Sequence, residues 1–127
     1  MKIACLCPTY KRPIMLQNLA ACFMNQTHPH DERRLFVLDD ANQHRPVQNA
    51  QLYLESTGIR YHSLPAKFNR LLRLAHEWGA DVVSIWEDDD IYLPEHLATL
   101  AAAYETGAKH VTFEKVWSTY GMPHGQA

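Results

Sequence analysis

Glycine is scarce in this sequence, and its five glycines stand at Gly58, Gly79, Gly107, Gly121 and Gly125. None follows the first apolar run. The lack of both a G-x-G-x-x-G turn and a P-loop argues against a nicotinamide enzyme or a P-loop ATPase. Cysteine is scarce too: Cys5, Cys7 and Cys22 make an odd number with no C-x-x-C spacing. That pattern predicts reduced thiols and a cytoplasmic setting. Cys5 and Cys7, two apart, fall on one face of a strand and read as plain packing residues. There is no excess of positive charge: 12 Lys and Arg stand against 14 Asp and Glu, for a formal net charge of -2. This argues against a nucleic-acid groove or a membrane-surface patch. No apolar run approaches the roughly 20 residues that span a bilayer, and the apolar opening that ends at Pro8 is too short for a secretory signal.

What is present is alternation. The chain has 127 residues with a hydrophobic fraction of 46%, enough for the core of one domain. Strand-like and helix-like segments follow one another, which predicts an α/β fold: a mainly parallel sheet with helices on both faces. Residues 2–7 read as a central strand. Pro13 suits the first turn of a helix whose apolar stripe is Met15, Leu19, Cys22 and Phe23. Thr27 to Asp31 form a loop, and Leu35 to Leu38 a second strand. Residues 46–56 read as a short helix and Ile59 to His62 as a third strand. Residues 66–78 spell a helix with Phe68, Leu71, Leu72 and Ala75 inward, closed near Gly79. A fourth strand covers 81–86, a helix runs from Pro94 to Gly107, and a fifth strand covers 109–117.

In an open parallel sheet, ligands bind beyond the carboxyl ends of the strands. Pro8-Thr9-Tyr10-Lys11-Arg12 follow the first strand, Asp39-Asp40 the second, Pro65-Ala66-Lys67 the third, and Glu87-Asp88-Asp89-Asp90 the fourth. Four consecutive carboxylates repel one another and resist ionisation without a cation. A hard divalent ion, Mn²⁺ or Mg²⁺, relieves that repulsion through oxygen ligands and keeps room for waters and phosphate oxygens. A phospho-acceptor signalling domain also gathers acids at strand ends, but its acidic pair should follow the first strand, where Pro8, Thr9 and Tyr10 stand.

CPTYKRP after the first strand, FVLDDAN at the end of the second, and KFNRLLRLA followed by ADVVSIWEDDDIYLPEHL resemble the motifs of the family 2 inverting glycosyltransferases. The resemblance covers roughly residues 2–100 and carries three motifs in order. It implies a GT-A, Rossmann-like fold and a donor that is a nucleoside diphosphate sugar. It implies that Pro8, Thr9 and Tyr10 contact the nucleotide, with Tyr10 against base or ribose. Asp39 and Asp40 would hydrogen-bond base and ribose, and Lys67 would approach the phosphates. Glu87, Asp88 and Asp89 occupy the D-x-D triplet, with Asp89 the first choice of metal ligand and Asp88 the second; Asp88 also counts among the nucleotide contacts. Glu87 stands where the family has Asp, and Asp90 is expected just outside the metal's ligands.

The reaction so implied is sugar transfer to an acceptor hydroxyl, which needs a base for the hydroxyl proton. Glu114 and His124 are the candidates, although neither lies in a family motif. The chain continues for 38 residues after Asp89, less than the family's acceptor-binding half, so the expectation is a single donor-binding domain covering residues 1–127. The acceptor is unassigned. The alternative is a nucleotide-sugar-binding module that is inactive alone or completed by a partner chain. Self-association into a homo-oligomer is a further expectation, carried by Val111, Phe113, Val116, Trp117 and Tyr120. On that expectation the protein sediments as a dimer or larger, and Trp117→Glu dissociates it while nucleotide binding survives. A wild type that sediments as a monomer at micromolar concentration and turns over donor at full rate contradicts it.

Overall fold

The computed structural model describes residues 1–111, 113, 116–118 and 123–124. The elements run β1 (Ile3–Thr9), α1 (Pro13–Met24), a 3-10 turn at His30–Glu32, β2 (Arg33–Asp39), β3 (Val47–Gln48), β4 (Leu52–Ser56), α2 (Leu64–Trp78), β5 (Val82–Ile85), β6 (Asp90–Ile91), α3 (His96–Glu105), β7 (Val116–Ser118) and β8 (Pro123–His124). The main sheet has the order β3-β4-β2-β1-β5. β4, β2, β1 and β5 are mutually parallel, and β3 adds an antiparallel edge. A smaller antiparallel sheet has the order β6-β7-β8.

The central strand is buried on both faces, which is why residues 3–7 read as a continuous apolar run. Ile3, Cys5 and Cys7 pack with Leu16, Leu19 and Phe23 of α1 and with Leu97, Leu100 and Ala101 of α3. Ala4 and Leu6 point the other way, onto Leu71, Leu74 and Ala75 of α2. Helices therefore cover both faces, as the alternation predicts. The Cys5 and Cys7 thiols, fully buried, are pushed well up by desolvation, which suits packing and leaves no reactive thiolate. Ser63 caps α2 by accepting the Ala66 N–H, and Gly79 ends it at φ 87°, a left-handed closure that glycine adopts without strain.

Five expectations are corrected. Residues 46–56 are not a helix. Asn49 Oδ1 accepts the N–H groups of Gln51 and Leu52, turning the chain between β3 and β4. Leu52 and Leu54 then face α1's side while Tyr53 faces α2's, a period of two rather than a helical period. Ile59 to His62 are consequently not the third strand, whose place β4 takes; Ile59 is 83% exposed. In α2, Leu72 is exposed and Leu74 buried, and in α1 it is Leu16 rather than Met15 that is buried with Leu19 and Phe23. The described residues of 109–117 do not extend the main sheet. Among them, β7 joins the small sheet, while Val111 and Phe113 pack against the chain's own core. The side chains of Val116 and Trp117, and Tyr120 entirely, lie outside the described residues.

An aromatic cluster closes the core below the acidic run. Trp86 stacks on Tyr92 at 4.0 Å between ring centroids, and His96 lies edge-on to both and stacks on Phe113 at 4.2 Å. Burial lowers the pKa of His96 from 6.5 to about 4. The unfolded chain therefore takes up this proton first, so the contribution is intact above about 6.5 and is lost as the pH falls towards about 4. Thermal melts between pH 7 and pH 4.5 should show a steeper loss of stability in the wild type than in His96→Phe. Equal slopes contradict this placement of the imidazole.

Candidate functional site

β1 feeds β2 on one side, while its other neighbour is β5. The chain thus parts at the carboxyl end of β1, which makes a crevice between the ends of β1 and β5. A cleft of about 670 Å³ opens there, lined by Pro8, Thr9, Tyr10, Arg12, Asp40, Lys67 and Asp88, and by Arg60 to Leu64. Its size is in the range of small-molecule sites.

Thr9 ends β1, and its Oγ1 donates to Asp88 Oδ2 at 2.8 Å. Arg12 Nη1 donates to the other oxygen, Asp88 Oδ1, at 3.0 Å. Asp88 is buried and ties the two strand ends together. On the far side of the cleft, Lys67 Nζ donates to Asp40 Oδ1 at 2.6 Å and to the Thr9 carbonyl at 2.9 Å. The Tyr61 N–H donates to Asp40 Oδ2 at 2.8 Å. Burial alone would raise the Asp40 pKa. The hydrogen bond and charge of Lys67 and the Tyr61 N–H outweigh it and hold the carboxyl below its ordinary range. That contribution to stability is present above the ordinary carboxylate pKa and is lost as the pH falls through the lowered one.

Asp39 is engaged within the chain. Its Oδ1 accepts from the Ala41 N–H, and its Oδ2 from the N–H groups of Gln43 and His44 and from Ser56 Oγ. It shapes the loop after β2 and is not among the residues lining the cleft.

The acidic run is held from three directions. Trp86 anchors its start in the core, Tyr92 Oη accepts the Glu87 N–H at 2.9 Å, and Asp90 pairs with Ser118 in the small sheet. Glu87, Asp89 and Asp90 each offer a carboxylate oxygen, and these oxygens lie within 4.8 Å of one another. This all-oxygen donor set fits a hard divalent ion. Its membership differs from the D-x-D expectation: Asp90 replaces Asp88, whose oxygens are engaged by Thr9 and Arg12. Glu114 and the side chain of His124 lie outside the described residues.

Pro8, Thr9, Tyr10, Asp40 and Asp88 are brought together at the strand ends, and Lys67 joins them from the first turn of α2. Arg12, although noted at the end of β1, received no role from the sequence. Arg60, Tyr61 and His62, expected in a strand, instead line the cleft; the Arg60 guanidinium lies 3.9 Å over the Tyr10 ring. The period-two pattern in Leu52-Tyr53-Leu54 was the signal that would have freed residues 57–63 to be read as a strand-end loop.

The model of glycosyl transferase family 2 matches residues 5–124. This chain belongs to glycosyl transferase family 2. Protein CgeD of Bacillus subtilis (strain 168) is 26% identical over an alignment of 113 residues that covers 81% of this chain and 26% of CgeD. The crystal structure of S. aureus TarS superposes with a TM-score of 0.71 at 20% identity, covering 88% of this chain and 23% of TarS. TarS 1-349 in complex with UDP-GlcNAc gives a TM-score of 0.71 at 19% identity, covering 90% of this chain and 38% of that one. This family 2 chain spans about a quarter of the length of CgeD and of the TarS chain, and its fold is GT-A, Rossmann-like.

The Asp40–Lys67 pair is buried on both sides, so removing one charge strands the other. Lys67→Met should cost about 3 kcal/mol, the low end for a broken buried pair because the cleft admits water. Lys67→Met with Asp40→Asn should recover part of it. Urea unfolding measures both, and a single variant as stable as the wild type contradicts the strut.

Proposed function

We propose that this domain binds a nucleoside diphosphate sugar and takes part in transfer of the sugar to an acceptor hydroxyl, with inversion at the transferred carbon. The observation that carries the reading is the abutment of two features at one strand-end crevice. A cleft lined by Tyr10, Asp40 and Asp88 meets the convergent carboxylates of Glu87, Asp89 and Asp90. Family membership and the UDP-GlcNAc and UDP complexes of TarS support the donor class.

In this reading Pro8, Thr9 and Tyr10 form the nucleotide wall, and the Tyr10 ring offers a face for base or ribose. Asp40 accepts from Lys67 on one oxygen and from Tyr61 on the other; a carboxylate oxygen can accept a second bond, and Asp40 lines the cleft, where it would meet the nucleoside. Lys67 has a third N–H donor beyond its two bonds, directed to phosphate. Asp39 acts on the nucleoside through the loop it shapes. Glu87, Asp89 and Asp90 would hold Mn²⁺ or Mg²⁺, with Asp89, between the exposed Glu87 and the buried Asp90, as the principal ligand. The bound ion would neutralise the charge that develops on the departing diphosphate.

A second reading is favoured by how the described carboxylates are used. Asp39, Asp40 and Asp88 are engaged in hydrogen bonds within the chain, and Glu87, Asp89 and Asp90 converge as ligands. Among the described residues, none of these is assigned to the acceptor's proton. The domain would then bind donor and rely on Glu114, His124 or a partner chain for the base. Donor turnover by the isolated protein separates the readings.

Calorimetry with UDP and UDP-GlcNAc, with and without Mn²⁺, tests the donor site. Wild type should bind UDP at least tenfold tighter with Mn²⁺, about 1.4 kcal/mol. Asp89→Asn should lose that gain with an unchanged circular dichroism spectrum. An Asp89→Asn protein that keeps the full Mn²⁺ effect overturns the metal assignment.

A further inference from the structure

Arg12 lies between the cleft and the acidic run. It is the last residue before α1, and Lys11 ahead of it adopts φ 54°, a left-handed conformation uncommon outside glycine. The side chain is half-exposed, lines the cleft, and places Nη1 at 3.0 Å from Asp88 Oδ1 and 3.9 Å from Asp89 Oδ2. One guanidinium thus neutralises the carboxylate that ties β1 to β5 and reaches towards one that faces the candidate ion. A divalent ion on Asp89 and a guanidinium beside Asp89 repel each other. A diphosphate entering the cleft carries the charge that reconciles them, because a guanidinium bonds phosphate as readily as carboxylate.

We infer that Arg12 is a charge placeholder that couples metal binding to nucleotide binding. The inference rests on the donor-site reading above and adds to it a residue that links the two ligands. Without donor, Arg12 holds Asp88 and Asp89 and opposes the ion. With donor, the guanidinium turns from Asp89 to the diphosphate while Thr9 keeps Asp88 in place, and the ion binds against reduced opposition. Metal and nucleotide therefore favour each other by more than their direct contact, and by linkage the effect is reciprocal.

The test is calorimetric titration of MnCl₂ into wild type and Arg12→Gln, each with and without saturating UDP, and of UDP into both proteins. Thermal melts confirm that both are folded. For an exposed pair the expected change is modest. Mn²⁺ alone should bind Arg12→Gln about two- to fivefold tighter than wild type, UDP should bind it more weakly, and the enhancement of Mn²⁺ affinity by UDP should shrink. Arg12→Lys, which keeps the charge and loses the fork, should restore the opposition to Mn²⁺ alone but only part of the UDP affinity. If wild type binds UDP and Mn²⁺ while Arg12→Gln matches it in both titrations, or binds Mn²⁺ alone more weakly, the placeholder is refuted and the donor site stands. A wild type that binds neither UDP nor Mn²⁺ overturns the donor-site reading and this inference with it.

Discussion

The hydrogen bond from Thr9 to Asp88 joins the ends of two strands that topology would otherwise let part. β1 and β5 are neighbours in the sheet, yet 79 residues separate the two side chains that meet across their tips. This contact keeps the acidic run over the crevice and turns Asp88 into a fixture of the wall. On the other side, Lys67 performs the matching task, bonding the Thr9 carbonyl and Asp40 at once. Thr9 is held from both sides, by its hydroxyl and by its carbonyl, so the end of β1 is the pivot on which the cleft is built.

The acidic run illustrates how a fold makes a costly charge cluster tolerable. Four consecutive carboxylates cannot all point one way. Here Asp88 turns into the cleft wall and is answered by Thr9 and Arg12, while Glu87, Asp89 and Asp90 converge elsewhere. Their backbone is held by a tyrosine hydroxyl from an aromatic cluster and by the small sheet. The ligand-like geometry thus depends on Trp86, Tyr92 and Asp90's strand pairing, none of which is among the cleft's lining residues. Preorganisation of this kind is what a site for a hard cation requires.

Much of this was legible from residue order. β1, β2, β5 and α2 are strong patterns, because apolar runs buried on both faces and a capped, three-to-four-spaced helix leave few alternatives. Since strand ends place ligands, locating Thr9, Asp40 and Asp88 needed little more than those strands; Lys67 reaches the same edge from the first turn of α2. Two kinds of information were not local. The hairpin of β3 and β4 rests on an Asn49 side chain bonding its own turn, and misreading it moved Arg60, Tyr61 and His62 out of the site. The division of labour within the acidic run depends on which oxygens Thr9 and Arg12 reach across the fold, and residue spacing along one segment carries no trace of partners 76 and 79 positions away.

The central claim is that the crevice between the ends of β1 and β5 receives the donor nucleotide. Its most direct test is a crystal structure of the protein with UDP and Mn²⁺. The account predicts the nucleoside between Tyr10 and Asp40, with a carboxylate oxygen of Asp40 within about 3 Å of base or ribose and the ion on Asp89. A nucleoside seated elsewhere on the chain, with Tyr10 still covered by Arg60 and the crevice empty, would contradict it.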